Sequence, residues 1–294
     1  MAVGITPDTQ DESAYLTIAE YKNAPTSIDF DNLVVGGNAN AQDAELANVI
    51  MRASSYMDAH LNRNLTATTY VETQRTRMTS EGFIALHPDN APVVQLSDFQ
   101  YGSNPLNLIT LPDCSQTWFE NQQIIIPLSQ LSTSYSSQGP LAFGGGFPRQ
   151  QIFMKYTYVA GYVNTRIVTA TATQSTLTVK SGAGIIAGQI LHIYDGALSE
   201  DVTVASTYVN GSTTVPLTTA LVSTHAAGVA IGNMPMTIKQ ACILITTAFI
   251  KMRGDNSMTM QITTSPTANV DGAQRYGGDI ASALEMIKLY RRIR

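Results

Sequence analysis

The chain has 294 residues, of which 44% are hydrophobic and only 13% charged, with a formal net charge of −5. The charge content is about half the globular norm of ~25%, so Thr, Ser, Asn and Gln must supply much of the surface, or neighbouring molecules must cover it. An acidic balance gives no general attraction to nucleic acid, no apolar run reaches the ~18 residues of a membrane span, and the first residues lack the basic and apolar regions of a secretory signal.

Residues 1–14 are polar. Thr17-Ile18-Ala19-Glu20 is a capping-box pattern and predicts a short helix over 17–24, stopped before Pro25. Residues 25–42 read as a loop with a turn at Gly36-Gly37-Asn38. No Lys-Ser/Thr follows those glycines, so a phosphate loop is not expected. The next helix is predicted over 43–62. Leu46, Ile50, Ala53, Met57 and Leu61 recur at helical spacing, Asp43 and Glu45 suit its first turn, and Asn62-Arg63-Asn64 ends it.

From 68 to 162 the pattern is one of short strands: Tyr70–Glu72, Phe83–Leu86, Val93–Leu96, Ile124–Ile126 and Phe153–Val159. Residues 129–149, with Gly144-Gly145-Gly146, read as a long loop of the kind that is functional or ordered by a partner. Trp118 and Phe119 read as a core anchor between strands, in preference to a ligand platform.

Residues 167–233 change composition again, to Thr, Val, Ala and Gly with few aromatics. Leu177–Val179, Ile190–Tyr194, Val202–Val204 and Val229–Ile231 predict a small all-β barrel or sandwich inserted into the host. Met234 to Gly254 then reads as the central helix, over 235–253. Ile238, Ala241, Cys242, Ile245, Phe249 and Met252 form its core stripe. Residues 255–276 read as a loop. Gly277-Gly278-Asp279 opens a last helix over 279–293, with Ile280, Ala283, Leu284 and Ile287 on one face and Lys288, Tyr290, Arg291, Arg292 and Arg294 at its end. The fold class expected is α+β: a helical core from 1–166 and 234–294, a β-rich middle segment, and an inserted all-β domain over 167–233.

No catalytic constellation stands out. Gly-x-Ser-x-Gly, Walker, His-Glu-x-x-His and Cys-x-x-Cys patterns are missing from the sequence. His60, His87, His192 and His225 are scattered, and Asp195 with Glu200-Asp201 is too sparse for calcium. Cys114 and Cys242 sit in unlike contexts and predict no disulfide. The expectation is a protein that is not an enzyme, with no catalytic residues, cofactor or metal.

The order of segments resembles a known family. Leu16-Thr17-Ile18-Ala19-Glu20-Tyr21 is followed by Tyr56-Met57-Asp58-Ala59-His60-Leu61-Asn62-Arg63, then Gly82–Leu86 and Ala91–Leu96, then Tyr158-Val159-Ala160-Gly161-Tyr162 and Met234–Ala241, and finally Asp279-Ile280 and Leu289-Tyr290-Arg291-Arg292. This resembles the head–tail connector (adaptor) proteins of tailed bacteriophages, over most of 15–162 and 234–294, with the β insert as the departure. The resemblance implies a helical connector core and a structural virion protein of the phage neck, assembled in host cytoplasm. It implies a homo-oligomeric ring, in the family usually of twelve subunits, that docks under the portal, extends the DNA channel and receives the next neck or tail-completion protein. Genomic DNA would pass through without specific binding, and no membrane is involved. The family's portal-docking helix corresponds here to Asp279–Arg294, which makes Ile280, Leu284, Ile287, Lys288, Tyr290, Arg291, Arg292 and Arg294 the candidate docking residues. The alternative is a β-rich tail-associated adhesin or carbohydrate-binding protein that draws on the insert and Trp118.

Overall fold

A computed structural model describes residues 14–26, 28, 33–76, 83–111, 113–114, 116–120, 122–127, 152–254 and 270–292. The expected 129–149 loop, most of the 255–276 loop, and Arg294 lie outside these residues. The chain divides into two compact units, one from 1–66 with 162–294 and the other from 67–161.

The first unit begins with α1 (Ile18–Asn23) and α2 (Ala39–Leu61). The capping box forms as the sequence predicts: Glu20 N–H donates to Thr17 Oγ1 at 3.0 Å and Thr17 N–H to the Glu20 carboxylate at 2.7 Å. Helix α2 starts four residues before its predicted position, because Asn38, read as part of a turn, accepts the Ala41 N–H at 3.0 Å and is the N-cap. It ends where predicted, with Asn62 left-handed at φ 57°. Helices α3 (Met236–Gly254) and α4 (Val270–Ile287) complete the helical part, with a 3-10 turn over Lys288–Tyr290. Helix α4 runs through Gly277-Gly278-Asp279, where the sequence predicts its start. Two glycines read as a breaker, but Ala283 and Ile287 are buried and α4 packs along α3.

The same unit contains β8 (Asn164–Thr169), β9 (Thr176–Val179), β10 (Ile190–Tyr194), β11 (Glu200–Thr203), β12 (Thr214–Pro216) and β13 (Ala230–Gly232). They pair in the order β11-β10-β13-β8-β9-β12. The sheet curls into a half-barrel whose outer strands meet, with Val204 bridging Leu217 and Ala205 N–H donating to Pro216 O at 2.8 Å. Its interior is its own apolar cluster, including Ile167, Leu177, Leu191, Ile193, Val215 and Ile231. The sheet starts at Asn164, ahead of the composition change at 167. Its two ends are laced together: Val163 N–H donates to Asn233 Oδ1 at 2.7 Å and Asn233 N–H to Val163 O at 3.1 Å. A Cβ on Gly232 would come within 2.1 Å of the Val163 carbonyl oxygen, so this crossing requires glycine.

The second unit holds β1 (Thr68–Thr76), β2 (Phe83–Leu86), β3 (Val93–Asn104), β4 (Asn107–Thr110), β5 (Trp118–Glu120), β6 (Gln123–Pro127) and β7 (Ile152–Ala160). They make a four-stranded sheet, β1-β7-β3-β4, and a three-stranded sheet, β2-β6-β5. Ile84, Leu86, Phe99, Tyr101, Ile124, Ile126, Met154, Tyr156 and Tyr158 fill the core.

These observations correct the expected fold class. Thirteen strands in three sheets stand against four α-helices among the described residues, and the fold is mostly β. A helical connector core with a β-rich middle segment is therefore not the architecture. The physical reason is that residues 67–161 and the half-barrel each close an apolar core of their own, so two of the three cores are built by sheets. The helices share only the third.

Within that helical cluster Ile238, Ala241, Cys242 and Ile245 are fully buried, Phe249 is half-buried, and Met252 is exposed. Burial pushes the Cys242 thiol up to about 12, so it is an inert core group. An Ile245→Asp variant would place a charge in this cluster, at a cost on the order of 4 kcal/mol or more. Urea unfolding followed by circular dichroism should show a lost or strongly shifted transition. A wild-type midpoint would mean that Ile245 does not face the core.

Candidate functional site

The expected docking residues divide by direction. Ile287 is buried, Leu284 and Tyr290 are partly buried against the helical cluster, and Ile280 is half-exposed. Tyr290 meets the Tyr162 ring edge-on at 6.1 Å, and its hydroxyl lies 3.2 Å from Thr237 Oγ1. Arg292 N–H donates to Leu61 O at 3.0 Å. The chain's own helices therefore occupy most of the apolar face that the sequence assigns to a partner. Leu289 points the other way and is 94% exposed, beside the exposed Arg291 and Lys288. Lys288 pairs with Glu285 at 3.0 Å on the surface, an arrangement worth little.

A second arrangement joins the helices to the half-barrel. Lys239 on α3 is only 3% exposed. Its ammonium donates to Glu20 of the capping box and lies 3.5 Å from the centre of the Tyr194 ring on β10. Burial holds the Lys239 ammonium below the ordinary lysine range, with Glu20 pulling the other way. Burial, with Glu20 and Asp201 nearby, pushes the Tyr194 hydroxyl up, out of any physiological titration. Around this group lies an open cleft of about 270 Å³ between the end of α1, β10, the turn Gly196–Leu198 and the start of α3. Nothing in the spacing of Glu20, Tyr194 and Lys239 announces this meeting. The available signal was a lysine on the apolar stripe of an otherwise buried helix.

A third arrangement lies within the half-barrel. The His225 ring is fully buried, with Nδ1 2.9 Å from Asp195 Oδ2 and Nε2 2.7 Å from Glu200 Oε1. Glu200 also accepts the Val222 and Ser223 N–H groups, each at 3.0 Å. Both ring nitrogens face carboxylates. The acidic residues that the sequence left without a use are thus partners of histidine, as is Asp201, 2.6 Å from His192 Nδ1. In the second unit Glu72 accepts both the Tyr156 hydroxyl, at 2.9 Å, and the Tyr158 hydroxyl, and it also takes the Asp89 N–H.

Trp118 and Phe119 are not core anchors. They are 38% and 41% exposed on β5, and Trp118 meets Phe83 edge-on at 5.2 Å. Among the described residues no three His, Cys, Asp or Glu side chains are grouped to hold a metal ion, and no helix is long and apolar enough to cross a membrane. No family model matches the chain, and neither the curated proteins nor the solved structures contain a match.

The His225 clamp has a defined pH response. Burial alone would raise the Glu200 carboxyl, but the bonds from Val222, His225 and Ser223 outweigh it and hold it below its ordinary 4.5. The folded group binds its proton less readily than the unfolded one, so its stabilisation is present above about 4.5 and is lost as pH falls through the depressed folded value. Glu200→Gln should lower stability at neutral pH by about 2 kcal/mol and flatten that acid-side loss. Thermal unfolding across pH 3–7 reads both.

Proposed function

We propose that the chain is a structural assembly protein of the tailed-phage neck, a head-to-tail adaptor that forms a ring beneath the portal, and that it is not an enzyme. The ordered segments of sequence from Leu16 to Arg292 support this reading. The structural observation that carries it is the end of the helical cluster: Leu289, 94% exposed, stands between cationic side chains in a chain of net charge −5. Arginine is enriched among docking hot-spot residues and can engage a partner's carboxylates bidentately, and the exposed leucine beside it offers apolar surface for a partner to cover. Docking in this form uses Leu289, Lys288 and Arg291. The inward face of Ile287, Leu284 and Tyr290 supports them from behind.

The test is association with the cognate portal ring, read by co-sedimentation and negative-stain microscopy. Wild-type protein should decorate the portal as a ring. Leu289→Asp should abolish decoration while thermal stability stays unchanged, and Arg291→Glu should weaken it in a salt-sensitive way. Wild-type occupancy in both variants would place docking elsewhere. Failure of the wild-type protein to associate would overturn the neck reading.

A conduit for DNA should not grip its cargo. Fluorescence anisotropy with a short duplex should show weak binding that disappears as salt is raised, and tight binding at physiological salt would contradict the proposal. A glycan-binding reading draws on the half-barrel insert and on Trp118, which is 38% exposed and meets the half-buried Phe83 edge-on. Glycan binding lost in Trp118→Ala, in a protein that ignores portal, would favour it.

A further inference from the structure

Asn210-Gly211 is the one Asn-Gly pair in the sequence, and both residues are exposed in a tight turn of the half-barrel. Val209 O accepts the Ser212 N–H at 3.0 Å, which closes the turn around the pair. Its third position lies at φ 83°, where glycine is favoured. Asparagine is a thermolabile residue, most of all before glycine, which has no Cβ to shield its nitrogen. The Gly211 nitrogen, on losing its proton, can attack Cγ of Asn210. A C–N bond then closes a succinimide ring, the side-chain nitrogen leaves as ammonia, and water opens the ring to aspartate or isoaspartate.

The fold opposes this reaction at the attacking atom. The Gly211 N–H donates to the Tyr208 hydroxyl, and that hydroxyl donates in turn to Ser212 O at 2.7 Å. Tyr208 is buried in the apolar cluster of the half-barrel, so its hydroxyl is held in place. Gly211 also bridges Gly182. The crossing is tight: a Cβ on Gly182 would fall 2.3 Å from Ser212 O and 2.8 Å from the Tyr208 hydroxyl oxygen. A nitrogen whose proton is engaged in this way is harder to deprotonate, and it cannot swing to Cγ without breaking the bond. We propose that Asn210 is a site of spontaneous deamidation that the Tyr208 hydroxyl keeps latent, so that reaction waits on local opening of the turn. The isoaspartyl product adds a negative charge and lengthens the backbone by one carbon within this crossing, which loosens the half-barrel at that edge.

The experiment incubates the full chain at mildly alkaline pH, with and without urea, and follows Asn210 by peptide mapping and mass spectrometry. Asn210 should convert readily in urea and severalfold more slowly in the folded wild type. Tyr208→Phe keeps the ring in the apolar cluster and removes the hydroxyl. In that variant the folded rate should rise severalfold toward the urea rate, with the circular dichroism spectrum and the rates at other asparagines unchanged. An Asn210 that stays intact in urea, equal rates in folded and unfolded wild type, or a wild-type rate in folded Tyr208→Phe would overturn the proposal. Should Tyr208→Phe not fold, amide hydrogen exchange of the wild-type protein decides. The Gly211 amide should exchange severalfold more slowly than in the unfolded chain, and unprotected exchange there would remove the role given to Tyr208.

Discussion

Glu20 carries more of the first unit than any other charged side chain. One carboxylate oxygen closes the capping box on Thr17, and the other neutralises Lys239, 219 positions away. Lys239 in turn sits against Tyr194 of the half-barrel. A buried ammonium stripped of its counter-ion costs about 3–5 kcal/mol, so these three residues hold their positions together or not at all. Helix α1 has only six residues, too few to persist alone in water. It exists because its cap is also the counter-ion of a lysine in the core. The buried residues Ala14, Tyr15 and Leu16 extend the same seam. Asn164 and Arg166 donate to the Ala14 carbonyl, at 2.9 and 3.3 Å, and Tyr15 N–H donates to Ser54 at 3.1 Å. The half-barrel, although it closes its own core, is therefore fastened to the helices through polar groups of one short segment.

The same device recurs. Glu200 joins His225 to two backbone N–H groups, and Glu72 joins two tyrosine hydroxyls to the Asp89 backbone. Each carboxylate accepts several bonds from separate stretches of chain, which is how a buried anion is kept from costing more than it returns. The low charge content read from the sequence does not by itself imply a surface covered by neighbours. Several of the few charges are spent on interior junctions.

What was legible in the sequence depended on the range of the interaction. Capping at Thr17, the end of α2 at Asn62 and the α2 stripe are local, and short-range sequence patterns reveal them. So are β2, β6, β7 and β10, whose Ile, Val, Leu and aromatic runs match their strands. Strand β4 (Asn107–Thr110) and β12 (Thr214–Pro216) were not legible, because short polar strands are fixed by their neighbours' register and not by their own propensity. Helix α4 was misjudged at its start because tertiary packing on α3 overrides two glycines. The fold class was misjudged because composition shows that a segment is β-rich but not that it owns a complete core. Of the site residues, the direction of Leu289 and Tyr290 could not be read from helical spacing, since a 3-10 turn begins at Lys288 and rotates the faces.

Exposure alone does not make a docking surface. Val35, Leu106, Val209 and Val222 are as exposed as many interface residues, yet single apolar side chains in loops and turns are ordinary on soluble proteins. Leu289 differs in its backing. Ile287 is buried two residues before it, Tyr290 is locked against Tyr162 and Thr237 directly after it, and Arg292 is tied by its backbone to the end of α2. A leucine held rigid on both sides loses little conformational freedom when a partner covers it, and that saving is what converts modest buried area into affinity. Rigid presentation, more than hydrophobicity, separates Leu289 from the scattered apolar residues elsewhere.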